Sequence, residues 1–281
     1  MRLRFLGIVV PIVGLIVSTT TASASSEQFN PPKHYYLALG DSLAYGYQHA
    51  KFVAEALSGH IDPSTFPGYA GDFEVSLQGV RPNTQEVNYG CPGETTASYF
   101  QACAFSAAGH FPLHNEYTGS QEAAALAFLK AHAGQVSPIT LDNGANDVTP
   151  CLALADPRAC FATAIAGVGV NLDVALAHLR AAAPNAEIIV MQYYDPYALA
   201  VPSSLAVTQG LNAAIAAAAA KHRARLTDAF TPINISPPAG QNLCTLTLAC
   251  QTPFDEHASD AGYALIAQQF WAASGYSRLL H

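Results

Sequence analysis

The stretch YLALGDSLAYGY, residues 36–47, decides how this chain is interpreted. Residues 34–39 are predicted to form a buried strand, and this strand ends abruptly at Gly40. Asp41 and Ser42 follow, and both are residue types that begin helices. A serine at the end of a buried strand can equally be a nucleophile held out for chemistry. Taken alone, the stretch favours the helix start, so the rest of the chain has to decide between the two interpretations.

Strand and helix patterns alternate after this first strand. Residues 187–194 (EIIVMQYY) are nearly all apolar, which is typical of a strand buried on both faces. Such alternation predicts βαβ units and an α/β fold, with a central parallel sheet of about five strands between two layers of helices. The other predicted strands are residues 34–39, one ending at 87–89, 138–142 and 224–230, and the predicted helices are residues 120–132, 162–183, 204–223 and 259–273.

Composition and charge limit the possible functions. Hydrophobic residues make up 51% of the chain and charged residues 11%, which allows a large core and disfavours long disordered tracts. The net charge of −8 disfavours a nucleic-acid partner, because a phosphate backbone attracts basic surfaces. No low-complexity linker follows residue 30, so we expect one domain over residues 34–281, preceded by a short N-terminal extension over residues 25–33.

The N-terminal residues have the pattern of a secretory signal peptide. Arg2 and Arg4 form a positive first part, residues 5–17 are apolar, and residues 22–24 (Ala-Ser-Ala) fit a signal peptidase site. A membrane anchor is the alternative, but this apolar run is shorter than the roughly 20 residues that span a bilayer. We therefore expect cleavage of residues 1–24, secretion, and no stable membrane anchor afterwards.

The cysteines agree with export. They fall into three close couples along the chain, so local pairing into disulfides is the simplest expectation, although spacing alone does not fix the pairing. A zinc site is the alternative, but the sequence contains neither C-x-x-C nor H-E-x-x-H. Three disulfides in an oxidising compartment are therefore favoured. The six residues are Cys91, Cys103, Cys151, Cys160, Cys244 and Cys250.

Polar residues follow the predicted strands at the points where the strands end. Ser42 follows the first strand, Gly93 lies in a loop after the second, and Asn146 follows the third. Asp255 and His257 precede the last predicted helix. Each has an ordinary structural explanation, as a helix start, a turn glycine, an Asx turn or a surface histidine. In a parallel sheet, however, all of these strand ends meet at one edge, where ligands bind.

Together these residues provide the parts of an acyl-transfer site. A serine hydroxyl needs a base to take its proton, and His257 is suitable because an ordinary imidazole is mostly neutral at pH 7. Asp255 lies two residues before His257 and could orient the ring. The N–H groups of Ser42 and Gly93 and the side-chain amide of Asn146 could stabilise an oxyanion.

Four motifs in this order resemble the SGNH, or GDSL-type, hydrolase family. The resemblance implies a three-layer, flavodoxin-like α/β/α fold and hydrolysis of esters. It also implies that Ser42 is the nucleophile, that His257 is the base, and that Gly93 and Asn146 are oxyanion donors. The secreted form with three disulfides looks like the actinobacterial esterases and lipases. The motifs are GDSL at residues 40–43, NYGCPGET at 88–95, GAND at 144–147 and D-x-H at 255–257.

Two positions depart from the pattern of the family. Ala145 replaces a frequent glycine in the third motif, which is a mild change. Many members place the acid three residues before the histidine, where this chain has Phe254; Asp255 lies two residues before it. Some members orient the histidine with a backbone carbonyl, so that alternative stays open. Asp260 is expected in the first turn of the last helix, where an acid favours the helix dipole.

The cysteine couples gain a role from this arrangement, since each lies beside a loop with a candidate site residue. We expect the pairs Cys91–Cys103, Cys151–Cys160 and Cys244–Cys250 to pre-organise the site, the alternative being general stabilisation.

Three stretches interrupt the alternation and carry many aromatic residues: residues 48–82, 105–119 and 195–202. They either build a substrate pocket or pack as ordinary loops. The aromatic residues are Phe52, Phe66, Tyr69, Phe105, Phe111, Tyr117 and Tyr197.

These observations predict a secreted serine esterase or lipase that needs no metal or organic cofactor. Its partner would be a small-molecule or lipid ester, and we expect a monomer. A classical α/β-hydrolase is disfavoured because the sequence lacks the G-x-S-x-G elbow around Ser42. Two alternatives remain on the same fold: a carbohydrate O-deacetylase, and a secreted binding protein whose site has decayed.

Overall fold

The structure is a computed structural model and describes residues 29–109 and 111–280. A five-stranded sheet lies at its centre, with strand order β2-β1-β3-β4-β5 and every pair parallel. This confirms the predicted fold class. The predicted signal peptide, residues 1–24, lies outside the described residues. The strands are β1 (Tyr35–Gly40), β2 (Gln85–Asn88), β3 (Val136–Asp142), β4 (Ile188–Gln192) and β5 (Arg225–Asp228).

The central strands are buried because helices cover both faces of the sheet. Every residue of β3 is buried, and so are the first four of β4. This is why their sequences are apolar without alternation. Strand β4 ends before its prediction does: Tyr193 and Tyr194 leave the sheet at its carboxyl edge, although both remain buried.

Helices pack in two layers on the sheet. Helices α3 and α10 cover one face, and α5, α7 and α8 cover the other. The helices are α1 (Ser42–Tyr45), α2 (His49–Ser58), α3 (Gly68–Gln78), α4 (Ala104–Gly109), α5 (Gln121–Ala131), α6 (Ala145–Val148), α7 (Arg158–Ala182), α8 (Ser204–Lys221), α9 (Ala239–Leu246) and α10 (Asp260–Ser274). Short 3₁₀ segments cover Pro63–Thr65, Ser98–Phe100, Thr149–Ala153 and Tyr276–Leu279, and a π-helical turn covers Thr231–Ile235.

Side-chain caps fix the start of two helices close to their predicted positions. Ser120 accepts a hydrogen bond from Ala123 N at 3.1 Å before α5, and Ser259 accepts one from Gly262 N at 3.2 Å before α10. Asp260 is therefore in the first turn of α10, as expected. Helix α7 begins four residues before its predicted start, with Cys160 already in its first turn.

Helix α7 is the one helix among the described residues that is long and apolar enough to cross a membrane. Core helices of soluble proteins have the same length and composition. Here Val168, Leu172 and Leu176 are buried in the main core, so one face of the helix packs against the rest of the protein, while Val170 and Val174 are exposed.

Aromatic residues of two unassigned stretches form a satellite cluster beside the main core. Phe52 and Phe66 are buried there with the Cys91–Cys103 disulfide, and partly buried Phe105, Phe111 and Tyr117 pack against them. Tyr69 belongs instead to the main core, where its ring stacks on Phe270 with centroids 4.6 Å apart. Residues 48–82 are largely helical, since they contain α2 and α3.

Candidate active site

The site lies where the connections after two neighbouring strands diverge to opposite faces of the sheet. The last residues of β1 and β3, Gly40 and Asp142, are paired in the sheet. The chain after β1 enters α1, which packs on α3, while the chain after β3 enters α6, which packs on α7. Such a switch point leaves a crevice beyond the strand ends, and ligands bind there in open α/β sheets.

Ser42 stands at this crevice as the first residue of α1. Asp41 caps the helix by accepting a hydrogen bond from Leu43 N at 2.9 Å. Gly40 has φ +140°, and a Cβ there would lie 2.1 Å from the carbonyl oxygen of Asp142. Only glycine allows the two strand ends to approach so closely. The serine therefore begins a helix and also faces the crevice, so the two interpretations of the stretch are compatible.

Ser42, His257 and Asp255 form a hydrogen-bonded chain. Ser42 Oγ lies 2.9 Å from His257 Nε2, and His257 Nδ1 lies 2.5 Å from Asp255 Oδ1. Because an ionised carboxylate can only accept, Nδ1 carries a proton and Nε2 is left to accept one from the serine hydroxyl. This is the arrangement of a nucleophile, a base and a group that orients the base.

Asp255 is held by backbone groups as well as by the imidazole. Its Oδ2 accepts from His49 N at 2.9 Å, and its Oδ1 accepts from His257 N at 3.2 Å. Burial raises the pKa of this carboxyl, but these hydrogen bonds and the nearby imidazole outweigh burial and leave the pKa below its ordinary value. The structure therefore places a carboxylate beside His257 despite the two-residue spacing.

Three groups near the serine are the predicted oxyanion donors. Gly93 has φ +81°, with nothing within 4 Å of a Cβ built on it. Among the described residues, no acceptor is hydrogen-bonded to the backbone N–H of Gly93 or of Ser42. Asn146 Nδ2 donates to the carbonyl of Glu94 at 2.9 Å and makes a longer contact of 3.4 Å to Asp41 Oδ2. The Glu94 carbonyl thus orients the amide of Asn146.

A pocket opens beside this hydrogen-bonded chain. It encloses an empty volume of about 670 Å³, part of which is open to solvent. Ser42, Asn146 and His257 lie in its wall, and the remainder comes mainly from residues 148–161 and 193–211. Tyr197 is in the wall as predicted. For residues 48–82 and 105–119, the structure favours the packing alternative, because their aromatic side chains lie in the satellite cluster and the main core and do not line this pocket.

A family model described as GDSL-like Lipase/Acylhydrolase matches residues 38–265. The chain belongs to this family. The match confirms the resemblance drawn from the motifs, and no curated protein sequence matches the chain.

Solved structures of lipases and esterases share the fold of this GDSL-like acylhydrolase. The lipase Lip_vut3 from a goat rumen metagenome is 16% identical, with a TM-score of 0.58 over 87% of this chain and 99% of that chain. Axe2, an acetylxylan esterase from Geobacillus stearothermophilus, is 17% identical, with a TM-score of 0.57 over 88% and 96%. LAE5, an α/β hydrolase from the metagenome of Lake Arreo, is 18% identical, with a TM-score of 0.56 over 91% and 99%.

Two buried carboxyl groups lie close to Ser42 in this GDSL-like acylhydrolase. Asp142 accepts from Tyr69 OH at 2.6 Å and from Ala44 N at 3.2 Å, and Asp41 accepts from Tyr193 OH at 2.7 Å. Burial, followed by the charge of Asp41, raises the pKa of Asp142 well above its ordinary value. Burial therefore favours the neutral form of the Asp142 carboxyl. We expected a local structural role for Asp41, and Asp142 was not singled out.

Tyr47 and Gln48, which lie between α1 and α2, hold the segment that carries His257. The sequence analysis did not predict these contacts. Gln48 Nε2 donates to Ala258 O at 3.2 Å and to Asp260 Oδ1 at 2.9 Å. The ring of Tyr47 packs against the His257 ring with centroids 4.9 Å apart. These contacts join residues more than 200 positions apart, so no local signal in the sequence indicates them.

Each of the three disulfides lies on a loop near the site. Cys91–Cys103 links the loop after β2 to the start of α4, Cys151–Cys160 links the segment after α6 to the start of α7, and Cys244–Cys250 links α9 to the loop before His257. These are the three local pairs expected from the sequence, and they are consistent with an extracellular protein.

Within residues 29–109 and 111–280, no three or more histidine, cysteine, aspartate or glutamate side chains are grouped to hold a metal ion. That no metal or cofactor is needed stays a prediction.

Proposed function

We propose that this chain is a secreted serine esterase or lipase, which hydrolyses carboxylic esters through an acyl-enzyme on Ser42. The observation that carries the proposal is the chain of hydrogen bonds from Ser42 Oγ to His257 Nε2 (2.9 Å) and from His257 Nδ1 to Asp255 Oδ1 (2.5 Å). It lies in the wall of the pocket at the switch point of the sheet, where an ester can reach it.

Acylation begins when Ser42 Oγ attacks the carbonyl carbon of the ester. As the bond to carbon forms, the hydroxyl proton passes to His257 Nε2, and the carbonyl π electrons move onto oxygen. The N–H groups of Ser42 and Gly93 and the Asn146 amide stabilise the resulting oxyanion, while Asp255 stabilises the imidazolium. The oxyanion then collapses and breaks the bond to the leaving alcohol oxygen, which takes the proton from His257.

Deacylation repeats the sequence with water as the nucleophile. His257 takes a proton from the water as its oxygen bonds to the acyl carbon, and the same donors hold the second oxyanion. Collapse of this intermediate breaks the bond to Ser42 Oγ, which recovers its proton from His257. The carboxylic acid leaves, and the enzyme returns to its starting state with no external oxidant, reductant or metal.

The proposal includes the compartment in which the enzyme works and its oligomeric state. The apolar residues 5–17 and the Ala-Ser-Ala site at 22–24 support export with loss of residues 1–24, and the three disulfides support an oxidising compartment. The net charge of −8 disfavours a nucleic-acid partner. We propose that the mature protein works as a monomer without a membrane anchor.

The decisive experiment compares purified mature protein with the Ser42→Ala variant on p-nitrophenyl butyrate. Loss of the nucleophile should lower kcat by about 10⁴-fold or more. Ser58→Ala, on the exposed end of α2, is the matched control and should keep wild-type activity. A fluorophosphonate probe should label Ser42 covalently, as read by peptide mass spectrometry. Hydrolysis by Ser42→Ala at the wild-type rate would end the serine-nucleophile proposal.

Carbohydrate O-deacetylation is a second candidate, favoured by the structural similarity to the acetylxylan esterase Axe2. It would use Ser42 and His257 in the same way and differ only in what the pocket accepts. A decayed binding protein is disfavoured, because the hydrogen-bonded chain from Ser42 to Asp255 is complete.

A further inference from the structure

The part of the pocket beyond the reacting groups has an apolar wall. Val148 and Leu152 come from the segment that follows Asn146, Phe161 from the first turn of α7, and Val207 and Leu211 from α8. They are aliphatic and phenyl side chains from three helices (α6, α7 and α8) and one short 3₁₀ turn, and all of them line the cavity. Burying an apolar ligand against such a surface removes apolar area from water and therefore favours binding.

The hydroxyl groups in the wall are mostly committed to the protein itself. Ser204 Oγ donates to Asp195 Oδ2 at 2.5 Å, Tyr194 OH donates to the carbonyl of Glu256 at 2.9 Å, and Tyr197 OH donates to the carboxylate of the same glutamate.

Two further wall hydroxyls are engaged in the same way. Tyr193 OH donates to Asp41 Oδ2 at 2.7 Å, and Thr149 Oγ1 donates to Ala145 O at 3.0 Å. Of the hydroxyls in this wall besides that of Ser42, only that of Thr208 makes no hydrogen bond to another described residue.

Because so few hydroxyl groups in the wall are free to donate, the wall disfavours a sugar as the ligand. A sugar ring brings several hydroxyl groups that need donors as well as acceptors, and each one that loses water without gaining a partner weakens binding. The carboxylates of Asp195 and Glu256 offer acceptors, but the wall has few free donors. A hydrocarbon chain brings no such groups, and burying each methylene is favourable. The apolar part of the wall therefore matches an apolar chain.

His257 must protonate the leaving alcohol oxygen, so the alcohol portion lies next to His257. Asn146, a proposed oxyanion donor, also lines the cavity, and the chain after it supplies the wall residues Val148 and Leu152. We therefore assign the wall after Asn146 to the acyl portion of the ester.

A disulfide joins the two parts of the wall on that side. Leu152 directly follows Cys151, and Phe161 directly follows Cys160. The Cys151–Cys160 bond thus ties the turn after α6 to the first turn of α7 at the two positions beside these wall residues.

We propose that this cavity is an acyl pocket for esters of apolar carboxylic acids longer than acetate, with the Cys151–Cys160 loop as its outer wall. This rests on the proposed function, since it concerns the ester that reacts at Ser42. Two methylenes more than acetate are worth about 1.6 kcal/mol, so kcat/KM for a butyryl ester should exceed that for an acetyl ester by about tenfold.

The test measures kcat/KM on two ester series. One series varies the acyl chain of p-nitrophenyl esters from two to eight carbons, and the other varies the alcohol of acetate esters over the same lengths. Acetylated xylo-oligosaccharide serves as the carbohydrate substrate. The wild type should favour longer acyl chains, respond weakly to alcohol length and hydrolyse the carbohydrate acetate slowly.

Variants of Val207 then locate the acyl chain. Val207→Trp should lower the ratio of octanoyl to acetyl kcat/KM by tenfold or more, because the larger ring fills the cavity. Val207→Thr keeps the shape of the side chain and should lower the same ratio less, by adding a hydroxyl to the wall. Val170→Trp on the 64% exposed side of α7 is the control and should leave the ratio unchanged.

The disulfide is tested with the double variant Cys151→Ala, Cys160→Ala. Its octanoyl to acetyl ratio should fall, while a circular dichroism spectrum like that of the wild type would show that the sheet is still folded. An unchanged ratio would show that the disulfide does not shape the pocket.

Other outcomes separate the two proposals. A wild-type maximum at acetyl, or faster hydrolysis of the carbohydrate acetate, would overturn the acyl pocket and leave the Ser42 mechanism intact. Dependence on alcohol length in place of acyl length would also overturn it. Failure of the wild type to hydrolyse any ester would overturn both proposals.

Discussion

Replacing Glu94 with glutamine should stabilise the protein, and increasingly so as the pH rises. Glu94 is buried in the loop that carries Gly93. Its carboxylate accepts hydrogen bonds from Ser98 Oγ and, at 3.2 Å, from Gln121 Nε2. Burial outweighs these hydrogen bonds and, with help from the charge of Asp41, raises its pKa from the ordinary 4.5 to about 7.

The size of the effect follows from these two pKa values. Below about pH 4.5 the carboxyl is protonated in both the folded and the unfolded chain, so its titration costs no stability. Between pH 4.5 and 7 the unfolded chain releases the proton while the folded chain keeps it, which favours unfolding. Each pH unit costs about 1.4 kcal/mol, so the wild type loses about 3 kcal/mol by pH 8. The Glu94→Gln variant has no such titration and avoids the loss.

Urea denaturation of both proteins at pH 4, 6 and 8 measures the prediction. The free energy of unfolding of Glu94→Gln minus that of the wild type should grow by about 3 kcal/mol from pH 4 to pH 8. Glu55→Gln is a control of opposite sign, because hydrogen bonds from the Thr65 hydroxyl and the Asp62 N–H hold the pKa of Glu55 below its ordinary value. The free energy of unfolding of Glu55→Gln minus that of the wild type should therefore fall as the pH rises. A pH-independent difference for Glu94→Gln would refute the reasoning.

Three further predictions concern the site. Asp255→Asn should lower kcat by about 10⁴-fold, because an amide that donates to His257 Nδ1 leaves the proton on Nε2; activity within tenfold of wild type would assign the orienting role elsewhere. Gln48→Leu should lower kcat by roughly tenfold or more with little change in KM, because the His257 segment loses two hydrogen bonds, and equal steady-state constants would contradict this. Gly93→Ala should cost about 1 kcal/mol in urea denaturation because of its positive φ; unchanged stability would show that the loop relaxes freely.

The features that could be predicted from the sequence are those that a local pattern records. The apolar residues of β3 and β4 mark strands buried on both faces, and the abrupt stop at Gly40 marks the edge where Ser42 stands. The family match then confirmed what four short motifs had indicated. In each case, the residue types needed for the structure lie within a few positions of one another.

Features made by distant parts of the chain were missed or wrongly assigned. The contact between Gln48 and Asp260 spans 212 positions, and the hydrogen bond between Ala44 N and Asp142 spans 98. Aromatic composition suggested a pocket around Phe52, but apolar side chains bury themselves equally well against each other. Only the three-dimensional arrangement shows that the cavity lies on the side of α7 and α8.

The hydrogen bond between Ser42 and His257 joins residues 215 positions apart, one after the first strand and the other before the last long helix. The proposed nucleophile therefore leaves the ribosome early, and its proposed base emerges only after every strand of the sheet has been synthesised. A nascent or truncated chain without α10 and the segment before it has the serine but no base to activate it. Recovery of ester hydrolysis during refolding would thus report the contact between the end of the first strand and the segment before α10.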